Sequence, residues 1–268
     1  MPECTLVKIC WIHPTTRDDA LEPLWSRLDE TIRPILRKDT QLEQRFLARS
    51  GNFVRSLYAE HLNSVHLVDA ALQAEKDGFD AVFIGCWNDP LMEAREMLAI
   101  PVGSVSEQTM LAAMAMGRRF AVVTVSDKTT VAIENDIHAY GFRDRAIARP
   151  VRAIEPQSDG RLLLGAVDDP HREFIPRFEA VARECIRDGA DTILVGCGYY
   201  GPLLRGAGYT EIPGTGVPVV DATAVGLKYL EMMADLSLSM GLVKSNRLQF
   251  RAPPAEVIAR ARASLAGA

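Results

Sequence analysis

The sequence predicts an α/β protein built from two similar lobes with a cleft between them. One observation is a repeat, because residues 77–86 read DGFDAVFIGC and residues 188–197 read DGADTILVGC, 111 residues apart. Another is that short apolar runs bounded by turn residues alternate with amphipathic stretches, which is typical of βαβ units and a parallel sheet. A chain of 268 residues is long enough to give each of two lobes its own core.

The same alternation places the individual elements. In the first half we expect strands at 5–12, near 41–48, at 80–85 and at 101–105, with helices at about 17–38, 58–77, 90–99 and 106–116. The second half repeats this plan, with strands at 119–125, near 146–154, at 191–196 and at 217–220, and helices at about 128–140, 171–188, 201–206 and 222–236. Each lobe is therefore predicted to be Rossmann-like (flavodoxin-like), a four-stranded parallel sheet flanked by helices. Pseudo-twofold symmetry is expected to relate the two lobes.

The repeat also predicts the domain organisation. Residues 1–116 are expected to form the first lobe and residues 117–225 the second. The C-terminal segment 226–268 is expected to complete the first lobe by packing back on it.

Composition narrows the function classes. Hydrophobic residues at 48% and a net charge of −5 are ordinary for a soluble globular protein, and they do not indicate the concentrated basic face that binds phosphates, so nucleic acid is not expected as a partner. No apolar run approaches the roughly 20 residues of a membrane helix, and the N-terminus lacks a signal peptide's apolar centre. We therefore expect a cytoplasmic protein that does not bind membranes. The five cysteines form no CxxC pair, which favours reduced thiols over disulfides or a metal site.

The chemistry-bearing motif is a cysteine after glycine at the end of each repeated strand, Cys86 and Cys197. Asp89 suits a helix N-cap, so the sequence places a helix N-terminus just beyond Cys86, and Pro202 marks a helical first turn after Cys197. Amides and the dipole at a helix N-terminus lower the pKa of a nearby thiol. Two thiols facing one cleft can remove a proton from a carbon next to a carbonyl and return one on the opposite face, without a cofactor. The alternative is that each cysteine is a small buried hydrophobe.

The residues around both cysteines extend this interpretation to a family. The segments are GCWNDPLMEARE (85–96), GRRFAVVTVSDKT (117–129), DGADTILVGCGYYGPL (188–203) and GVPVVDATAVGLKYLE (216–231). Together they resemble the aspartate/glutamate/hydantoin racemase superfamily, in particular its hydantoin racemase branch. The resemblance implies a cofactor-independent racemase or epimerase in which Cys86 and Cys197 are the catalytic acid and base. It also implies a small-molecule substrate, hydantoin-like or related, and we expect a homo-oligomer.

The resemblance further implies which residues bind the substrate. Backbone amides after each cysteine are expected to hold its carbonyl oxygens, and the turn after the second lobe's first strand borders the site. The candidates are Trp87, Asn88, Gly198 and Tyr199 for the first group and Thr124 and Ser126 for the second. Hydantoin racemases carry Asn-Pro-Asn-Thr after the first strand, whereas this chain has His-Pro-Thr-Thr. His13 and Thr16 are therefore the candidates there, with His13 in place of a ligand-orienting asparagine.

Two other functions stay open at this point. A thiolate can catalyse cis-trans isomerisation by adding to a double bond, as in maleate isomerases, which also keep both cysteines. A two-lobed α/β protein with a central cleft also suits a non-enzymatic small-molecule binding protein. Arylmalonate decarboxylases keep only the second cysteine, so Cys86 argues against that activity.

Overall fold

Two separate sheets form the framework of the protein. The structure, a computed structural model, describes residues 6–51, 55–87 and 89–266, without the side chains of 265 and 266. The first sheet has the order β2-β1-β3-β4, all parallel, with β1 (Val7–His13), β2 (Thr40–Phe46), β3 (Ala81–Ile84) and β4 (Val102–Ser104). Buried apolar residues on both faces of β3 are what a parallel sheet covered by helices requires. The strands predicted for the first half are confirmed.

The second sheet repeats the strand order of the first and then adds a strand. It runs β6-β5-β7-β9-β8, with β5 (Phe120–Thr124), β6 (Ala146–Ala153), β7 (Thr192–Gly196), β8 (Glu211–Ile212) and β9 (Val217–Val220). Strands β6, β5, β7 and β9 are parallel, whereas β8 pairs antiparallel with β9. The prediction of four strands was therefore wrong for this sheet. A two-residue strand, followed by a turn with positive φ at Gly214 and Gly216, is too short to produce a periodic pattern.

Helices connect the strands and cover the sheets. In chain order they are α1 (Glu22–Ile32), α2 (Leu57–Lys76), α3 (Leu91–Met97), α4 (Val105–Met116), α5 (Asp127–Ala139), α6 (Gly160–Asp168), α7 (Phe174–Arg187), α8 (Tyr200–Gly206), α9 (Ala222–Met240) and α10 (Ala255–Ala266). Helix α6 was not predicted, since Gly160 and Gly165 indicate a loop. Asp159 nevertheless caps this helix by accepting a hydrogen bond from the amide of Leu162.

Helix α9 packs against the first sheet, although the residues before it belong to the second. A Cβ on Gly226 would lie 2.6 Å from the ring of Phe83 in β3, so glycine permits this close approach. The carboxylate of Glu231, which is 2% exposed, accepts hydrogen bonds from the Arg37 amide and the Thr40 hydroxyl. These contacts tie α9 to the start of β2. The predicted two-lobed α/β architecture is confirmed by the two sheets, whereas the predicted boundaries at 116/117 and 225/226 stay a prediction.

No helix within the described ranges combines the length and the apolar character that crossing a membrane requires.

Candidate active site

The two cysteines of the repeated motif occupy equivalent places at the carboxyl ends of β3 and β7. Cys86 follows Gly85, and Cys197 follows Gly196, the last residue of β7. Both are partly buried free thiols, and both line one cavity of about 130 Å³. The structure therefore brings together two side chains that are 111 residues apart in sequence, as the repeat predicts.

Glycine before each cysteine is required by packing against the first strand of the same sheet. A Cβ on Gly85 would lie 2.1 Å from Nε1 of Trp11 in β1. A Cβ on Gly196 would lie 2.7 Å from Cβ of Thr124 in β5. No such separation is tolerated between non-bonded carbon or nitrogen atoms, so a side chain at either position would displace the strand end and its cysteine.

The walls of this cavity are mostly apolar, with one cation and one carboxylate. Besides the cysteines and their neighbours, its lining includes Arg55, Glu60, Val125, Thr129, Ala132, Ile133, Ser158, Leu163 and Tyr200. A larger groove of about 630 Å³ lies between α2, α3 and α10, but neither cysteine lines it. We take the smaller cavity as the candidate active site, because a pair of reactive side chains indicates catalysis more directly than a large volume does.

The surroundings of Cys86 disfavour its thiolate. Burial raises the pKa of Cys86 well above its usual value, and the nearby Asp89 carboxylate raises it further. The Trp87 amide interacts with the sulfur and lowers the pKa, but it does not offset burial. Asp89 is not the helix N-cap that the sequence predicts. Its carboxylate accepts a hydrogen bond from the Cys86 amide, and α3 begins at Leu91 without a side-chain cap.

Cys197 has a more favourable environment for negative charge. Burial again raises its pKa, but the amides of Tyr200 and Tyr199 and the charge of Arg55 all lower it. The predicted net lowering of both thiol pKa values was therefore wrong. Desolvation in the cavity outweighs the backbone amides that follow each cysteine. The two cysteines nonetheless differ in their electrostatics, because the Asp89 carboxylate raises the pKa of Cys86 whereas the Arg55 guanidinium lowers that of Cys197.

His13 lies behind the cavity wall and contacts Tyr199, which lines the cavity. Its ring is fully buried and stacks on Phe46 with centroids 4.5 Å apart. Its Nε2 lies 2.9 Å from the carbonyl Oε1 of Gln44, so Nε2 carries the hydrogen and Nδ1 accepts from the Tyr199 hydroxyl at 3.4 Å. Burial lowers the pKa of His13 to about 4, which keeps the ring neutral. The structure thus places His13 in contact with a cavity residue and not on the cavity surface.

The other predicted residues divide into two groups. Trp87, Gly198 and Tyr199 line the cavity, whereas Thr16, Thr124 and Ser126 do not. Thr124 and Ser126 lie behind Thr129, since their hydroxyls are 2.9 and 3.2 Å from its Oγ1. The Thr16 amide donates to Ser50. Asn88 lies outside the described residues.

Several lining residues carry no signal in the sequence. Arg55 precedes α2, and its guanidinium donates to the backbone carbonyl of Ser158 in the second half of the chain. Ser158 is held in turn by its amide, which donates to Val125, and by its hydroxyl, 2.7 Å from that of Tyr200. Arg55 and Ser158 are far from both cysteines in sequence, and only the tertiary fold brings them to the cavity.

No described group of three or more His, Cys, Asp or Glu side chains is arranged to hold a metal ion.

A profile of the family described as Asp/Glu/hydantoin racemase matches residues 23–230. The hydantoin racemase of Pseudomonas sp. (strain NS671) is 27% identical over 227 residues, which cover 81% of this chain and 84% of that protein. The hydantoin racemase of Rhizobium meliloti is 32% identical over 174 residues, covering 60% of this chain and 63% of that protein. Among solved structures, allantoin racemase from Klebsiella pneumoniae is similar with a TM-score of 0.74 and 22% identity, covering 92% of this chain and 94% of that one. At that identity the structural likeness shows a shared fold.

Proposed function

This chain belongs to the Asp/Glu/hydantoin racemase family, and we propose that it is a cofactor-independent racemase or epimerase whose acid and base are Cys86 and Cys197. The substrate is a small carbon acid with a carbonyl next to the reacting carbon, such as a substituted hydantoin. The observation that carries the proposal is that two cysteines, at matching strand ends, line one cavity. Hydantoin racemases among the relatives support the same reaction class.

Electrostatics assign the starting roles of the two thiols. Burial raises the pKa of both, but Asp89 raises that of Cys86 further, whereas amides and Arg55 lower that of Cys197. Cys197 therefore ionises first and acts as the base, while Cys86 remains a thiol and acts as the acid. A buried thiolate is also a stronger base than an exposed one, which helps it to remove a proton from carbon.

The reaction needs two proton transfers and no other bond change. The Cys197 thiolate takes the proton from carbon, and the electron pair moves into the adjacent carbonyl to give an enolate. The Cys86 thiol then protonates the opposite face of that carbon, leaving Cys86 as the thiolate and the product with inverted configuration. The reverse reaction, or proton exchange with solvent, restores the starting state.

The enolate oxygen requires a hydrogen-bond donor. The Trp87 and Tyr199 amides are directed at the sulfurs, where they lower the thiol pKa values. The amide of the cavity residue Gly198 has no hydrogen-bond partner within the described part of the chain. We therefore assign the stabilisation of the enolate oxygen to the Gly198 amide.

Cavity size and wall chemistry support a small substrate. A volume of about 130 Å³ is below the ~300–1,000 Å³ of typical drug-sized ligand sites. Apolar walls exclude water, which strengthens the interactions that stabilise the enolate.

Isotope exchange tests the mechanism. Single enantiomers of a 5-substituted hydantoin are incubated in deuterated water, and exchange of the ring hydrogen and loss of optical rotation are followed together. The wild-type protein is expected to exchange and invert. Cys86→Ser is expected to keep exchange without inversion for the enantiomer that faces Cys197. The Cys197 thiol formed by proton removal exchanges its hydrogen with the deuterated solvent and then returns a deuteron to the same face. Cys197→Ser is expected to lose that exchange.

Cys185→Ser is the matched control, since Cys185 is buried in α7 and does not line the cavity. Inversion at the wild-type rate by both Cys86→Ser and Cys197→Ser would disprove the two-thiol mechanism. A stable covalent adduct on one cysteine would instead indicate thiolate addition, as in a cis-trans isomerase.

A further inference from the structure

Arg55 is the cation among the described residues that line the candidate active site. One hydrogen bond within those residues holds its guanidinium in place. Its guanidinium donates to the carbonyl of Ser158, a residue that is itself anchored to Val125 and Tyr200. A guanidinium has several N–H donors arranged in a planar fork, and this contact uses one of its nitrogens. The rest of the fork is left for a further acceptor.

Arg55 has no anionic partner among the residues that the structure describes. No ion pair joins it to a described carboxylate. The cavity that Arg55 lines has mostly apolar walls, with Val125, Ile133 and Leu163 among its lining residues. An arginine in such surroundings is better stabilised by a carboxylate that it can bind through two hydrogen bonds.

Stabilisation of the Cys197 thiolate does not explain the position of the Arg55 guanidinium. Arg55 is the smallest of the effects that lower the pKa of Cys197, after the Tyr200 and Tyr199 amides. A residue placed chiefly to hold that thiolate would contact the sulfur, whereas the guanidinium contacts Ser158. An anion that enters the cavity from solvent is the remaining partner.

We infer that Arg55 is a specificity-determining residue that binds a carboxylate on the substrate's substituent. This inference rests on the proposed function, and it names the substrate class: a small ring or open-chain carbon acid whose side chain ends in a carboxylate, such as a carboxymethyl-substituted hydantoin. A short acidic substituent also suits the cavity of about 130 Å³. The two hydrogen bonds to Arg55 orient the reacting carbon between the thiols.

A matched pair of ligands tests the inference. Binding of 5-carboxymethylhydantoin and of its neutral amide, 5-carbamoylmethylhydantoin, is measured by titration calorimetry with the wild-type protein, Arg55→Gln and Arg55→Lys. The wild type is expected to bind the carboxylate at least about tenfold more tightly than the amide, equivalent to roughly 1.4 kcal/mol. Arg55→Gln is expected to reduce the preference to about twofold or less through weaker carboxylate binding. Arg55→Lys is expected to restore part of the preference, since it keeps the charge without the fork.

Arg49→Gln is the control. The substitution removes the same charge, and Arg49 is exposed and does not line the cavity. An absence of preference in the wild type, or equal weakening of both ligands in Arg55→Gln, would overturn the inference. Hydrogen exchange in deuterated water is measured on the same samples. A carboxylate preference without exchange would support the role of Arg55 and count against the racemase proposal, whereas exchange without preference would do the reverse.

Discussion

The Tyr199 hydroxyl lies 3.4 Å from Nδ1 of His13. This contact joins Tyr199, two positions after Cys197, to the last residue of β1. Behind His13 the chain of hydrogen bonds continues, because Gln44 accepts from His13 and donates to Asp29. Each partner fixes the orientation of the next, so the Tyr199 ring on the cavity wall is held from the first sheet. A neutral His13 is required, since a protonated Nδ1 could not accept.

Because His13 is held neutral, we expect the protein to lose stability in mild acid. Burial lowers the folded-state pKa of His13 from 6.5 to about 4. Between these two pH values the unfolded chain binds a proton that the folded protein does not, so the free energy of unfolding falls as pH falls. The contribution of His13 is fully present above about pH 6.5 and decreases by roughly 3 kcal/mol as pH approaches 4.

Denaturant unfolding measured across this pH range checks the effect. His13→Gln is expected to be less stable at neutral pH but to have a flatter pH dependence, because glutamine does not titrate. The same change at the exposed His138 is expected to keep the wild-type slope. An unchanged slope in His13→Gln would count against a buried neutral imidazole.

A second prediction concerns Asp89 and the pH at which Cys86 ionises. After burial, the Asp89 carboxylate is the main cause that raises the pKa of Cys86. Burial raises the pKa of Asp89 itself well above its usual value, so its charge acts on Cys86 only at pH values above that pKa. Asp89→Asn keeps an oxygen that can accept from the Cys86 amide but cannot ionise, so the pKa of Cys86 is expected to fall. Alkylation of Cys86 by iodoacetamide, followed by mass spectrometry of its peptide, should then begin at lower pH. The alkylation profile of Cys197 is the internal control, because Asp89 is not among the groups that shift its pKa.

Particular residues show how far the sequence could predict this site. The repeat predicts the positions of Cys86 and Cys197 because strand order and strand ends follow from local apolar patterns. The partnership of Arg55 with Ser158 depends on how the two halves meet, which no local pattern records. The direction of the thiol pKa shifts was missed for a related reason, since helix position is a local property whereas desolvation depends on the closed cavity.

The glycine before Cys86 gives a third prediction. In Gly85→Ala the new methyl would meet the indole of Trp11, which is fully buried and cannot move aside. We expect a loss of about 1–3 kcal/mol of stability from overpacking and a large loss of racemase activity, because the strand end that carries Cys86 is displaced. Chemical denaturation and the exchange assay measure the two effects.

Gly165→Ala is the matched control for this substitution. Gly165 is exposed within α6, and a Cβ there meets nothing within 4 Å. Alanine is expected to raise stability by about 0.5–1 kcal/mol, since it favours the helix more than glycine does. Equal effects of the two substitutions would contradict the steric explanation.

The last prediction concerns the buried carboxylate of Glu231, which binds α9 to the first sheet. Glu231 accepts from the Arg37 amide and the Thr40 hydroxyl and pairs with Lys228. Glu231→Ala leaves the partly buried Arg37 amide and Thr40 hydroxyl without their acceptor, so we expect a loss of about 3 kcal/mol in the free energy of unfolding. Glu231→Gln retains one acceptor oxygen and is expected to lose less. Asp235→Ala, on the same face of α9 but 43% exposed, is expected to cost at most about 1 kcal/mol. Urea unfolding of the three variants distinguishes a buried anchor from a surface ion pair, because equal losses for Glu231→Ala and Asp235→Ala would mean that α9 is not held through Glu231.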